Sequence, residues 1–289
     1  MENEWHVYVR FSDGEIKAVS PPGGRYQLPC IHPDGDRVVC QGGQSGEKMR
    51  IWQFDIATGE RTALSPPEAY AGMPAYSWDG QRVVFSSDLA YDANFASIDE
   101  TPVWITPKHD LLMALYVVDA DCSNLRQITT GGHQDMRPSF HPDGQQVVYA
   151  SKQGGTFKLW LTDITGENAP QLLDGSYPWA MRPWFAPDGE SFFFHTEVDG
   201  AHRICRYWLA TGRWEPVAND TGEVSHGSFV VPNANELLIH SKREGQIGIW
   251  RLSLTDDRAE RVELPGFDIA GHATQASNGT LAFDSPERR

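Results

Sequence analysis

Residues 137–149 read RPSFHPDGQQVVY, and much of the chain is organised as copies of that stretch. Its parallels are LPCIHPDGDRVVC at 28–40, MPAYSWDGQRVVF at 73–85 and RPWFAPDGESFFF at 182–194. Weaker copies are SFVVPNANELLIH at 228–240 and TQASNGTLAF at 274–283. The turn residues of the copies are Asp34, Asp79, Asp143, Asp188, Asn233 and Asn278, spaced by 45, 64, 45, 45 and 45 residues. The long interval is the same period carrying a 19-residue insertion. The path from Asn278 through the C-terminus and back to Asp34 is again 45. A period of this length marks units that bury their faces against one another.

Each copy has the same physical logic. An apolar-rich segment stops at a turn, most often Pro-Asp-Gly, where Pro presets φ and Gly tolerates positive φ. A β-branched and aromatic run follows, such as QQVVYAS at 145–151, and reads as a buried strand. A third strand carries an aromatic (Trp52, Tyr116, Trp160, Trp250), and turns such as DIATGE at 55–60 or LATGRW at 209–214 lead into a fourth. Four strands per period is a propeller blade. No segment sustains helical periodicity.

The register also fixes how the ring closes. After Asn278 one strand, GTLAFDS, remains, while WHVYVRFSDGEIKAVS at 5–20 reads as a hairpin around Ser12-Asp13-Gly14. The expected fold is therefore all-β: a single domain over residues 1–289 forming a six-bladed β-propeller, its last blade closed by N- and C-terminal strands. Such closure removes two sheet edges that would otherwise invite aggregation. On these repeats the chain resembles the TolB-like propellers with WD40-like Pro-Asp-Gly repeats. That resemblance implies the fold; its members include scaffolds, enzymes and gating domains, so function must be argued from the site. One implied role is a non-catalytic protein-interaction scaffold.

Composition narrows the classes. At 40% hydrophobic and 22% charged residues the chain has ample core material. A net charge of −15 without clustered Lys and Arg argues against nucleic acid as a partner. No apolar stretch approaches the ~18 residues of a spanning helix, so no membrane partner is expected. The start, MENEWHVYVR, lacks the pattern of a secretory signal. Cys30, Cys40, Cys122 and Cys205 form no CxxC pair and read as reduced thiols, giving an expected cytoplasmic location.

Candidate chemistry lies at one channel mouth. The residues six before each turn residue are Leu28, Met73, Arg137, Arg182, Gly227 and His272; one earlier are Gln27, Gly72, Met136, Met181, His226 and Gly271. One side of the mouth is thus apolar, and the other carries Arg137, Arg182, His226 and His272, with Asp135, Trp179, Thr274 and Gln275 near them in sequence. Two guanidinium forks converging in a concave site suit a carboxylate or phosphate. The structural alternative is that each arginine pairs with an acid between blades. The insertion, within residues 88–113, falls between the second and third strands of blade two and reads as a lid, with Trp104 among its aromatics. His32 and His141 read as turn residues at the opposite face; His195 and His240 occupy matching ends of second strands, where blade packing explains them as well as function does.

A more distant resemblance is to the oligogalacturonate lyases. It implies His226, His272 and Gln275 as ligands of a divalent metal, manganese or calcium, with Arg137 and Arg182 as catalytic residues beside a uronate. Asp135, Trp179, Trp104 and the two arginines would then bind the ligand. The metal would acidify a C5 proton by polarising the adjacent carboxylate. The expected function is binding of a small anionic or carbohydrate ligand, such as a sugar acid or oligosaccharide. Lyase activity is one option there, and a protein partner on a scaffold is the alternative.

Overall fold

The computed structural model describes residues 4–91, 111–173, 175–222, 224–232 and 235–286, and for positions 224, 226 and 228 the backbone only. The described strands form six antiparallel sheets of four. Blade one runs Gly24–Ile31, Arg37–Gln44, Arg50–Asp55 and Arg61–Ala63. Blade two is Ala71–Tyr76, Arg82–Ser87, Ala114–Asp119 and Arg126–Gln127, and the insertion leaves it between its second and third strands as expected. Most of that insertion, including Trp104, lies outside the described residues. Blade three is Asp135–Phe140, Gln146–Ser151, Lys158–Asp163 and Gln171–Leu173. Blade four is Met181–Phe185, Ser191–Val198, Ala201–Trp208 and Trp214–Pro216. Blade five is Val224–Val230, Glu236–Arg243, Gln246–Ser253 and Ala259–Arg261.

Blade six closes the ring from both termini. Its strand order places Ala273–Gln275 and Leu281–Ser285 inside, then His6–Arg10 and Ile16–Ala18 outside. Tyr8 is the hinge of this seam, paired with Phe283 on one side and Ala18 on the other. Its ring stacks on Phe283 at 5.6 Å and meets Phe267 edge-on at 4.6 Å, the offset geometries aromatic pairs prefer. Trp5 continues into blade one by a bridge to Arg25. Buried aliphatic and aromatic side chains fill the spaces between blades.

The inner strands share a device that the sequence only hints at. In blades one to five the ladder with the second strand is broken, between Gln27 and Cys30, Gly72 and Ala75, Met136 and Ser139, Met181 and Trp184, and His226 and Ser228. Inside each break one residue adopts positive φ: Leu28 (55°), Met73 (61°), Arg137 (57°), Arg182 (54°) and Gly227 (68°). Left-handed backbone costs a non-glycine residue about 1–2 kcal/mol. The bulges re-aim these positions, and all five, with His272 of blade six, line the central cavity. The Pro that follows four of them lacks an N–H, so the broken ladder strands no donor at that position.

Candidate functional site

At one end the channel widens into a mouth pocket of about 770 Å³. Arg137, Arg182, His240 and His272 belong to both the channel and this pocket. Lys152, His195 and His202 add further basic groups, and Trp5, Phe157 and Trp179 supply aromatic walls. Among the described lining residues there is no Asp or Glu. In a chain of net charge −15 this is a local reversal of sign.

The arginines differ in what holds them. Arg182 Nη1 donates to His272 Nε2. That assignment leaves the His272 proton on Nδ1, 3.4 Å from Asp284 Oδ2. Asp284 is fully buried and accepts the backbone N–H groups of Leu28 and His272, both at 2.8 Å. Burial pushes the Asp284 carboxyl up to about 6, against the pull of those two N–H groups. Burial, Arg182, Arg137 and His240 together hold His272 well below the ordinary imidazole range, so the ring is neutral. Arg182 is in turn lowered by burial and by the Arg137 charge beside it.

Arg137 has no such tether. Its Nε is buried without a hydrogen-bond partner, and no ion pair to its guanidinium occurs among the described residues. Burial lowers this group to about 10, which leaves it cationic at neutral pH. A buried donor without a partner costs roughly 1–3 kcal/mol. The arrangement is what an anion would complete.

Trp179 lies at the rim, with its ring against His195 at 5.1 Å and His202 at 5.0 Å, both edge-on. Its carbonyl accepts the Thr196 hydroxyl, which fixes the loop that carries it. The structure therefore brings Arg137, Arg182, His272 and Trp179 together. It adds Lys152, His195, His202 and His240; for His195 and His240 the sequence leaves packing and function equally open. The available signal was positional: His195 and His240 occupy corresponding points of second strands, opposite Met181 and His226 of the inner strands.

Other expected members stand apart. Asp135 is buried inside blade three, where its Oδ1 accepts the Ser151 hydroxyl at 2.6 Å, and it does not line the pocket. Gln275 lies at the opposite mouth. Its Oε1 accepts from Arg251 at 2.7 Å, and its Nε2 donates to the Gly279 carbonyl. The His226 side chain is outside what is described, although its backbone pairs with His240. The expected metal set does not fit. Gln275 is turned away, and the His272 nitrogen that faces Arg182 already accepts from a guanidinium. Among the described residues no three His, Cys, Asp or Glu side chains form a metal-binding group. At the far face, His32 and His141 accept the N–H of Asp34 and Asp143, as expected of turn residues.

No family model matches the chain. The Tol-Pal system protein TolB of Gluconobacter oxydans is 22% identical over 212 residues, covering 70% of this chain and 45% of that protein. An uncharacterised protein of Agrobacterium fabrum is 26% identical over 86 residues, 29% of each chain. The chain thus spans less than half the length of these curated relatives. Among solved structures, one assigned to TolB from Agrobacterium tumefaciens superposes with a TM-score of 0.74 at 13% identity, covering 98% of both chains. TolB from Acinetobacter baumannii gives 0.66 at 16% identity, over all of this chain and 65% of that one. An oligogalacturonate lyase in complex with manganese gives 0.64 at 13% identity, over 98% of this chain and 84% of that one. By its repeats, its closure and these likenesses, the chain folds as a six-bladed β-propeller similar to that of TolB.

Proposed function

We propose that this protein is a non-catalytic binding propeller whose mouth pocket, between blades three and six, receives the anionic group of a partner molecule. The observation that carries this reading is Arg137: a charged guanidinium at the pocket floor with a buried, unpartnered Nε and no acid among the described lining. Convergent polar groups in a concave, mostly apolar cavity are the usual mark of a ligand site. The curated relative with a named role is a Tol-Pal system protein, whereas the likeness to an oligogalacturonate lyase is one of fold alone. Chemistry supports the non-catalytic reading. His272 is a poor proton acceptor, because the nitrogen that would take a proton already accepts from Arg182. The metal-assisted elimination suggested by the lyase resemblance needs a ligand set that does not converge.

The reading is tested by equilibrium binding of benzoate and inorganic phosphate to the parent protein and to Arg137→Ala. Loss of a hydrogen bond to a charged group is expected to weaken binding by roughly 1.5–3 kcal/mol. Affinity should also fall as salt rises, because the pocket's attraction is electrostatic. Equal binding by both proteins would contradict the assignment. Absorbance from unsaturated products on oligogalacturonate with manganese should stay flat; a turnover signal would overturn the non-catalytic reading.

A further inference from the structure

The mouth pocket has a second property beyond its charge. Around the cationic floor its walls are Trp5, Phe157, Trp179, Met181, Ile247 and Ile269. Ile247 and Ile269 are 49% and 51% exposed, among the most exposed large apolar side chains described, and both stand on this one rim. Apolar surface gathered at a concave rim is stabilised when something covers it.

The hydrogen-bonding side chains of the pocket are unequal in kind. Arginine and lysine only donate. Among the described lining side chains there is no Asp, Glu, Asn or Gln; the acceptors are one hydroxyl, that of Thr156, and single ring nitrogens of neutral histidines (His195, His202, His240). The nitrogen of His272 that faces Arg182 is already engaged. A polyhydroxylated acid would bring several O–H donors into a site poor in acceptors, and each donor left unanswered weakens binding. A carboxylate on an apolar body meets every wall with its own kind: its charge on the arginines, its carbon skeleton on the aromatics and isoleucines.

We infer that the ligand of the mouth pocket is a carboxylate carried on an apolar body, aromatic or aliphatic, rather than a sugar acid. This rests on the anion-binding reading and narrows it. The carboxylate seats on Arg137, with Arg182 held beside it by His272. The body lies against Trp179 and beneath Ile247 and Ile269. Such a carboxylate can come from a free acid or from the C-terminus of a protein segment, and the two present the same chemistry to the pocket.

Calorimetric titration at fixed ionic strength decides the matter, with 3-phenylpropionate, butyrate, octanoate, galacturonate and inorganic phosphate as probes. We expect 3-phenylpropionate and octanoate to bind at least ten-fold more tightly than galacturonate or phosphate. Octanoate should exceed butyrate by about four-fold for each methylene buried. Trp179→Ala and, on the exposed rim, Ile269→Ser should each weaken octanoate while leaving phosphate unchanged. Ile269 is half-exposed at the rim, so its variant is expected to retain the fold if the Trp179 variant does not. Tighter binding of acetyl-Leu-Phe with a free C-terminus than of 3-phenylpropionate would assign the carboxylate to a protein segment; weaker binding would assign it to a free acid. If galacturonate binds as tightly as octanoate, the apolar-body inference is overturned while anion binding stands. If no anion binds, the underlying reading itself fails.

Discussion

Arg182 and His272, ninety positions apart in the sequence, meet across the channel mouth, where a guanidinium N–H is donated to a neutral imidazole. The contact joins blade four to blade six. It also ties the floor of the cationic pocket to the buried carboxylate of Asp284, which sits beside the other imidazole nitrogen at 3.4 Å. Arg137 faces the same cavity without a tether of this kind. The two arginines thus share a sequence position in their repeats but not a role.

This difference predicts a pH dependence. In the folded protein His272 titrates well below its ordinary value, because of burial, Arg182, Arg137 and His240, with Asp284 the acid that faces it. The unfolded chain takes up the proton first, as pH falls through about 6.5. His272 therefore removes stability below about pH 6.5 and has no such effect above it. In chemical denaturation, the stability advantage of the parent over His272→Gln should shrink between pH 7.5 and 5.5. An advantage that grows on acidification would contradict the assignment of a neutral imidazole.

Asp284 carries the opposite sign. Its folded carboxyl titrates at about 6, above the usual carboxylate value of about 3.9, so the folded state holds its proton longer and stability from this group falls as pH rises from about 4 to 6. Its structural contribution is larger. Asp284→Ala would leave the N–H groups of Leu28 and His272 buried and unanswered. At about 1–3 kcal/mol each, the expected loss is roughly 2–6 kcal/mol in denaturant unfolding. A loss below about 1 kcal/mol would show that water replaces the carboxylate there.

Deleting residues 1–19 removes both outer strands of blade six and leaves Leu281–Ser285 as an open edge. The truncated protein should aggregate during purification, because an unpaired edge in a ring built for closure is a template for pairing. A soluble monomer with a cooperative melt would show that the terminal seam is dispensable.

The repeat made the ring legible in the sequence. Turn residues at equal spacing, with a hairpin left over before the first copy and one strand after the last turn, specify both blade number and closure. The shared position of Arg137 and Arg182 was legible for the same reason. What the sequence hid depends on direction and on contacts between blades. Gln275 lies three residues beyond His272, about 10 Å along extended backbone, which is enough to carry it to the opposite mouth. Asp135, two residues before Arg137, turns into its own blade to meet Ser151. The positive φ at Leu28, Met73, Arg137 and Arg182 is not a property of those residue types; the ring imposes it. The contribution of Lys152 and His202 arises where strand ends and loops of blades three and four meet, which no single repeat reveals.

We propose Arg137 as a binding residue and not a brace, and melting the ligand-free protein separates the two. Thermal unfolding of the parent should be compared with Arg137→Ala and Arg182→Ala in the absence of any anion. Removing Arg137 takes away a buried cation that faces a second guanidinium, so its melting temperature should stay level or rise. Removing Arg182 should lower it modestly, through loss of the bond to His272. Destabilisation of Arg137→Ala by about 3 kcal/mol or more, the signature of a broken buried ion pair, would contradict the claim.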